Sequence, residues 1–188
     1  MLKKGAAERA LGRAVSTGGD FAEIFYEDTR SSRIGQTDDR IDTATTGRIH
    51  GAGLRVYKGT NSVYVHTNDT SDAGLMALAE RAADAVDSVR GEDRQIQLSG
   101  SIVKNIHEIR ELPMDVSGER RRALVREACR AARAESAEIA HVTGTLWDWE
   151  QAVTIANTES MFVSDQRVYT RASVTAVASG KGENQTGS

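Results

Sequence analysis

Ile49-His50-Gly51-Ala52-Gly53-Leu54-Arg55-Val56-Tyr57-Lys58-Gly59-Thr60-Asn61-Ser62-Val63-Tyr64-Val65-His66-Thr67 contains two runs rich in β-branched and aromatic residues, joined by a short turn. That arrangement around Lys58-Gly59-Thr60-Asn61 predicts an antiparallel hairpin. Gly47, Gly51 and Gly53 on its first strand suggest a bulge or a close backbone approach. The periodicity then changes. Ser71 is a plausible N-cap with Asp72 in the first turn, and a helix is predicted to about Val89. Leu75, Leu78, Ala79, Ala82, Ala83 and Val86 fall on one face, opposite Glu80, Arg81, Asp84 and Asp87. A hairpin followed by an amphipathic helix predicts an α+β fold, with helices packed on mainly antiparallel sheet built from hairpins.

The flanking sequence extends this pattern. Leu2 to about Ser16 reads as a short helix stopped by Gly18-Gly19, and Phe21 to Glu27 alternates as a strand with Ala22, Ile24 and Tyr26 on one side. The polar stretch Ser31 to Thr46 has room for two more strands around Ile34 and Ile41. Arg90 to Arg94 reads as a charged linker, and Gln95 to Val116 is ambiguous, broken by the single proline Pro113. Ser117 is expected to cap a second amphipathic helix, Gly118 to about Glu135, with Leu124, Val125, Ala128, Ala131 and Ala132 as its buried stripe. Three strands are expected over Ile139–Trp149, Gln151–Ala156 and Met161–Ala178. Residues 1–178 are thus expected to form one domain, with two subdomains meeting near 90–116. Ser179 to Ser188 reads as a polar loop or linker.

Composition narrows the function. Hydrophobic residues are 39% and charged residues 27% of 188, ordinary globular usage, whereas aromatics are only 5%. A net charge of −3 gives no reason to expect nucleic acid as a partner. The single Cys129 points to a reducing compartment. Glu8, Arg9 and Arg13 interrupt any secretory h-region, and no run approaches the ~18 apolar residues of a membrane span, so the expectation is a soluble cytoplasmic protein.

No complete reaction centre can be read from local spacing. His50, His66, His107 and His141 form no i, i+4 pair, and a second histidine is missing where His107-Glu108 would need it, at Glu111 or Leu112. Cys129 sits beside an Ala/Leu stripe and reads as a small buried hydrophobe. Gly51-Ala52-Gly53 lacks the third glycine and the strand-to-helix context of a phosphate loop. Arg120, Arg121, Arg122, Arg126, Arg130 and Arg133 interleave with Glu119, Glu127 and Glu135, which reads as a solvated helix face. Trp147 and Trp149 alternate on one strand and therefore share a side, as core packing, an interface or a peptide-contact surface. They are the candidate site residues. No catalytic or metal-ligating residue is assigned.

The ordered segments resemble the TldD/PmbA family. Gly19-Asp20-Phe21-Ala22-Glu23-Ile24-Phe25-Tyr26-Glu27 is similar to the family's opening strand, and Gly51-Ala52-Gly53-Leu54-Arg55-Val56-Tyr57 to its G-x-G-x-R-V strand. Thr67-Asn68-Asp69-Thr70-Ser71 matches the entry to its Ala-rich helix, Ile155-Ala156-Asn157-Thr158-Glu159 its second hairpin turn, and Arg171 to Gly187 its strand and Q-T-G exit. The first strand and Gln185-Thr186-Gly187 look more like the TldD branch. The resemblance implies a cytoplasmic zinc metallopeptidase that cuts unfolded peptides and pairs as a homo- or heterodimer with another subunit of this type. It further implies that zinc and its H-E-x-x-x-H motif lie in a C-terminal half, so this chain is expected to serve substrate binding and subunit assembly. A stand-alone protein-interaction domain without peptidase activity is the alternative.

Overall fold

The structure, a computed structural model, describes residues 1–87, 91–102 and 108–188. The helices are α1 (Lys4–Ala14), α2 (Asp72–Val86) and α3 (Gly118–Ala134), with a short 3-10 turn at Pro113–Asp115. The strands are β1 (Phe21–Thr37), β2 (Arg40–Lys58), β3 (Asn61–Thr67), β4 (Ser99–Ile102), β5 (Ile139–Asn157), β6 (Met161–Gly180) and β7 (Glu183–Gly187). They form a mainly antiparallel sheet in the order β3-β2-β1-β5-β6-β4, with β7 on β6. The α+β expectation holds. Only β4 departs from the antiparallel rule among the described pairings, running parallel to β6 with Ser99 opposite Met161.

The hairpin quoted at the outset pairs β2 with β3 from Ala52↔Thr67 to Lys58↔Asn61. Gly51 is needed there because a Cβ would stand 2.7 Å from the Thr67 carbonyl oxygen. Elsewhere the strands are longer than their polar sequence suggests. Ser31–Thr46 is the far end of one long hairpin, turning at Asp38, whose φ of 52° is left-handed. Ile139–Ala156 is one continuous strand rather than two. Ser179–Ser188, read as a loop, instead carries a hairpin: Lys181 and Gly182 have φ of 53° and 82°, and Gly180 pairs with Glu183.

Contacts divide the chain into two compact units, each assembled from separate segments. The first comprises Met1–Thr29, Ile49–His107 and Gln151–Gln166. Its core joins Leu11, Ile24, Leu54, Leu75 and Leu78 with the alanines of α1 and α2, whose small side chains let the two helices pack closely. Ser71 caps α2 through Oγ, which accepts from the Gly74 amide at 3.1 Å. The charged linker and the start of the ambiguous segment are tied to the first helical region. The Gly91 amide donates to the Ser16 carbonyl, the Arg94 amide to that of Gly12, and the Leu98 amide to Glu8 Oε1.

The second unit comprises Arg30–Arg48, Glu108–Glu150 and Arg167–Ser188. Here α3, capped by Ser117, lays Val125 and Cys129 on Ile34, Val142 and Leu146. Gly144 permits the approach, because a Cβ there would overlap Cys129 Sγ. The expected stripe on α3 holds at Val125 and Ala132, but its centre shifts from Leu124 and Ala131 to Cys129. Leu124 is 52% exposed, whereas Val125 and Cys129 are buried. One residue is roughly 100° of helix rotation, enough to move a side chain from core to solvent.

Candidate functional site

Within the second unit, alternation along β5 separates two chemistries. Val142, Gly144, Leu146, Asp148 and Glu150 are buried, while Thr143, Thr145, Trp147 and Trp149 point the other way and are less buried. Trp147 and Trp149 do share a side, as the alternation predicts, but their environments differ. Trp149 is half-buried against Tyr169 of β6, ring centroids 5.3 Å apart, and Trp147 is 42% exposed. Trp147 lines an open groove of about 580 Å³. Ser31, Arg33, Thr45, Arg171 and Ser173 line it too, drawn from β1, β2 and β6. Thr145 and Ser173 hydroxyls hydrogen-bond across the strands at 2.7 Å.

Buried charges on the opposite side of β5 hold this surface. Asp148, 4% exposed at its side chain, accepts from Thr170 Oγ1 at 2.9 Å and faces Arg121 Nη1 at 3.6 Å. Arg121 in turn donates to Ser32 Oγ at 2.6 Å. Glu150 accepts from the Met114 amide at 2.6 Å and pairs with Arg30 at 3.1 Å. Arg121 therefore departs from the solvated arginine face expected on α3, its side chain being only 13% exposed. Arg133 is also recruited, to Asp38. That turn aspartate additionally accepts from the Val142 amide at 3.0 Å and meets His141 Nδ1 at 3.2 Å. The Val142 amide, then His141 and Arg133, hold the Asp38 carboxyl below its ordinary range.

The other candidate chemical groups do not assemble. His50 meets the Thr70 hydroxyl at 3.0 Å and the edge of Tyr26. His66 stacks on Tyr64, and His107 lies outside the described residues. Cys129 is buried, and burial pushes its thiol pKa up. Among the described residues no group of three or more His, Cys, Asp or Glu side chains could hold a metal ion. Among them, too, no helix is long and apolar enough to cross a membrane. The groove itself was not visible in sequence, because Arg33, Thr45, Trp147 and Arg171 lie on different strands with no common spacing.

Two family models match in order. Residues 22–86 match the PmbA/TldA metallopeptidase domain 1, and residues 111–188 match the PmbA/TldA metallopeptidase central domain. A protein of Methanothermobacter thermautotrophicus named "Metalloprotease" is 26% identical over 160 residues, covering 85% of this chain and 34% of its own length. A Thermotoga maritima crystal structure, of a protein named for modulation of DNA gyrase, superposes with a TM-score of 0.75 at 15% identity, covering 97% of this chain and 41% of that one. TldE from Thermococcus kodakarensis gives 0.64 at 14% identity, covering 95% and 40%. The chain thus spans about a third of that curated relative and about two fifths of those solved chains. With both models matched in sequence order over most of its length, the chain belongs to the PmbA/TldD metallopeptidase family.

Proposed function

We propose that these residues form the N-terminal, non-catalytic part of a TldD-like cytoplasmic metallopeptidase acting on unfolded peptides, and that they bind substrate and support subunit assembly. The observation that carries this reading is the ordered match to the family's first and central domains in a chain whose described acidic, histidine and cysteine side chains converge nowhere in threes. Zinc, as the metal of such a peptidase, would be held by the remaining part of the parent protein.

The role left to this chain is to hold an extended substrate. The open side of β5 and β6 offers the Trp147 indole, cross-strand hydroxyls and arginines, groups suited to an extended main chain and its side chains. Trp149, braced on Tyr169, stiffens that surface. The same reading makes this chain an assembly element that pairs with the rest of its subunit and with another TldD/PmbA-type subunit. Nucleic acid is not a partner, since the net charge of −3 opposes a phosphate backbone.

The test is metal analysis and peptide hydrolysis on untagged 188-residue chain, alone and after mixing with the separately expressed remainder of its parent. The chain alone should hold no stoichiometric zinc and cut nothing. It should co-purify with the remainder and raise that protein's activity towards unfolded peptide. Tightly held zinc with chelator-sensitive hydrolysis in the chain alone would overturn the proposal, and so would failure to associate.

A further inference from the structure

The groove beside Trp147 has a composition at odds with the acidic chain around it. Its described lining contains Arg33 and Arg171 and neither Asp nor Glu. A second recess of about 310 Å³ shares Ser31, Thr46 and Gly47 with it and adds Arg30 and Arg48, again without an acid. Both recesses lie wholly within the second unit. Arg30 is tied to Glu150, and Arg48 also has an interaction of its own. Arg33 and Arg171 differ: both are exposed, and among the described residues neither has a hydrogen-bond or ion-pair partner. Guanidinium groups left open beside an aromatic ring are matched to carboxylates, which they grip through paired N–H donors.

We infer that this groove selects an extended peptide segment carrying carboxylate side chains, with Arg33 and Arg171 as the specificity-determining residues. The inference rests on the substrate-binding reading above and adds a sequence preference to it. Charge complementarity names the occupant. The Trp147 indole supplies a flat apolar wall for a neighbouring side chain, and the Thr45, Thr145 and Ser173 hydroxyls line the same space. The groove at Arg171 and the recess at Arg48 adjoin through Ser31, Thr46 and Gly47, an arrangement that suits a strand-like chain with carboxylates spaced along it better than one isolated anion.

Binding is read by titrating the full 188-residue chain with an acetylated, amidated Ser/Glu peptide, its Ser/Gln counterpart, inorganic phosphate and a single-stranded DNA oligomer. Calorimetry gives the affinity and the Trp147 indole N–H resonance gives the place. The Ser/Glu peptide should bind about ten-fold more tightly than the Ser/Gln peptide, the factor expected for one charge-assisted pair. Raising salt from about 0.1 M to about 1 M should erase the difference, as the Debye length falls from about 10 Å to about 3 Å. Arg33→Gln with Arg171→Gln should remove the preference while keeping the wild-type circular dichroism and melting temperature, because both side chains are solvent-exposed. Equal affinity for the two peptides overturns the inference, as does a preference that survives the double variant. Tighter binding of the DNA oligomer, or displacement of the Ser/Glu peptide by equimolar phosphate, overturns it as well. None of these results bears on zinc content or association with the remainder of the parent, so the broader proposal stands or falls separately.

Discussion

Leu78 and Leu124 both occupy apolar positions of amphipathic helices, yet their side chains meet different surroundings. Leu78 is fully buried and Leu124 is 52% exposed. Leu78→Ala should therefore cost about 2–5 kcal/mol in denaturant unfolding, and Leu124→Ala should stay within about 0.5 kcal/mol. A large loss at Leu124 would mean that α3 presents the other face. Apolar periodicity places Val125 correctly but cannot rank it against its neighbour Leu124, because the sequence does not show that a polar residue of α3 also faces inward. Arg121, four residues before Val125, turns inward to Ser32 and Asp148. Removing it by Arg121→Met leaves Asp148 buried beside Thr170 alone and should cost about 3–5 kcal/mol, most of it recovered when Asp148→Leu is added. Urea titrations of the single and double variants decide the matter. If the double variant is as unstable as the single, burial of the unpaired carboxylate is not the cause.

At the level of elements, the turn between β1 and β2 is the joint most sensitive to acid. Asp38 receives the Val142 amide and meets His141 and Arg133, and its carboxyl is held below the ordinary range. A depressed folded-state pKa gives stability that is complete above the unfolded value near ~3.9 and is lost as pH falls through the lowered folded value. Asp38→Asn keeps a residue that tolerates the left-handed backbone but removes the charge. Its melting temperature should lie below wild type above about pH 5, and the gap should close on acidification. A gap independent of pH would exclude the carboxylate as its source. The hairpin with α2, and both serine N-caps, were legible because their signals are local: a Gly/Asn turn between β-rich runs, and a serine ahead of an apolar period. The far halves of β1 and β2 were legible only as room for two strands around Ile34 and Ile41, and the β6–β7 hairpin was not legible. Their strands are rich in Thr, Ser, Gly and charge, and they are held by pairing with neighbours distant in sequence rather than by their own propensity. The groove was hidden for the same reason, being visible only once the strands carrying it stand side by side.

For the whole molecule, the interleaving of the two units has mechanical consequences. β1, β2, β5 and β6 each contribute residues to both, so neither unit is a continuous piece of chain. A fragment ending at residue 107 would lack Gln151–Gln166, including Thr158, whose Oγ1 accepts from the Ala22 amide at 3.1 Å. Fragments 1–107 and 108–188 should each be largely unfolded when expressed alone, as judged by dispersed amide resonances, and should regain structure only on mixing. A folded, protease-resistant 1–107 would refute this. Adjacency of β1 and β5 across more than a hundred residues also makes that pairing non-local, so folding should be slow, as expected for high contact order. The parity of the long strands carries a consequence for descent. Ala22, Ile24, Tyr26 and Ile34 are all even-numbered, as are Val142, Leu146 and Ala156, although each set spans both cores. A single-codon insertion within β1 or β5 would put one core's residues out of phase with the other's, much as a frameshift spoils everything beyond it. Length changes that persist through the family's history should therefore gather at the turns after Thr37, Lys58, Asn157 and Gly180 or in the stretch before α3, leaving the strand interiors to change only by substitution.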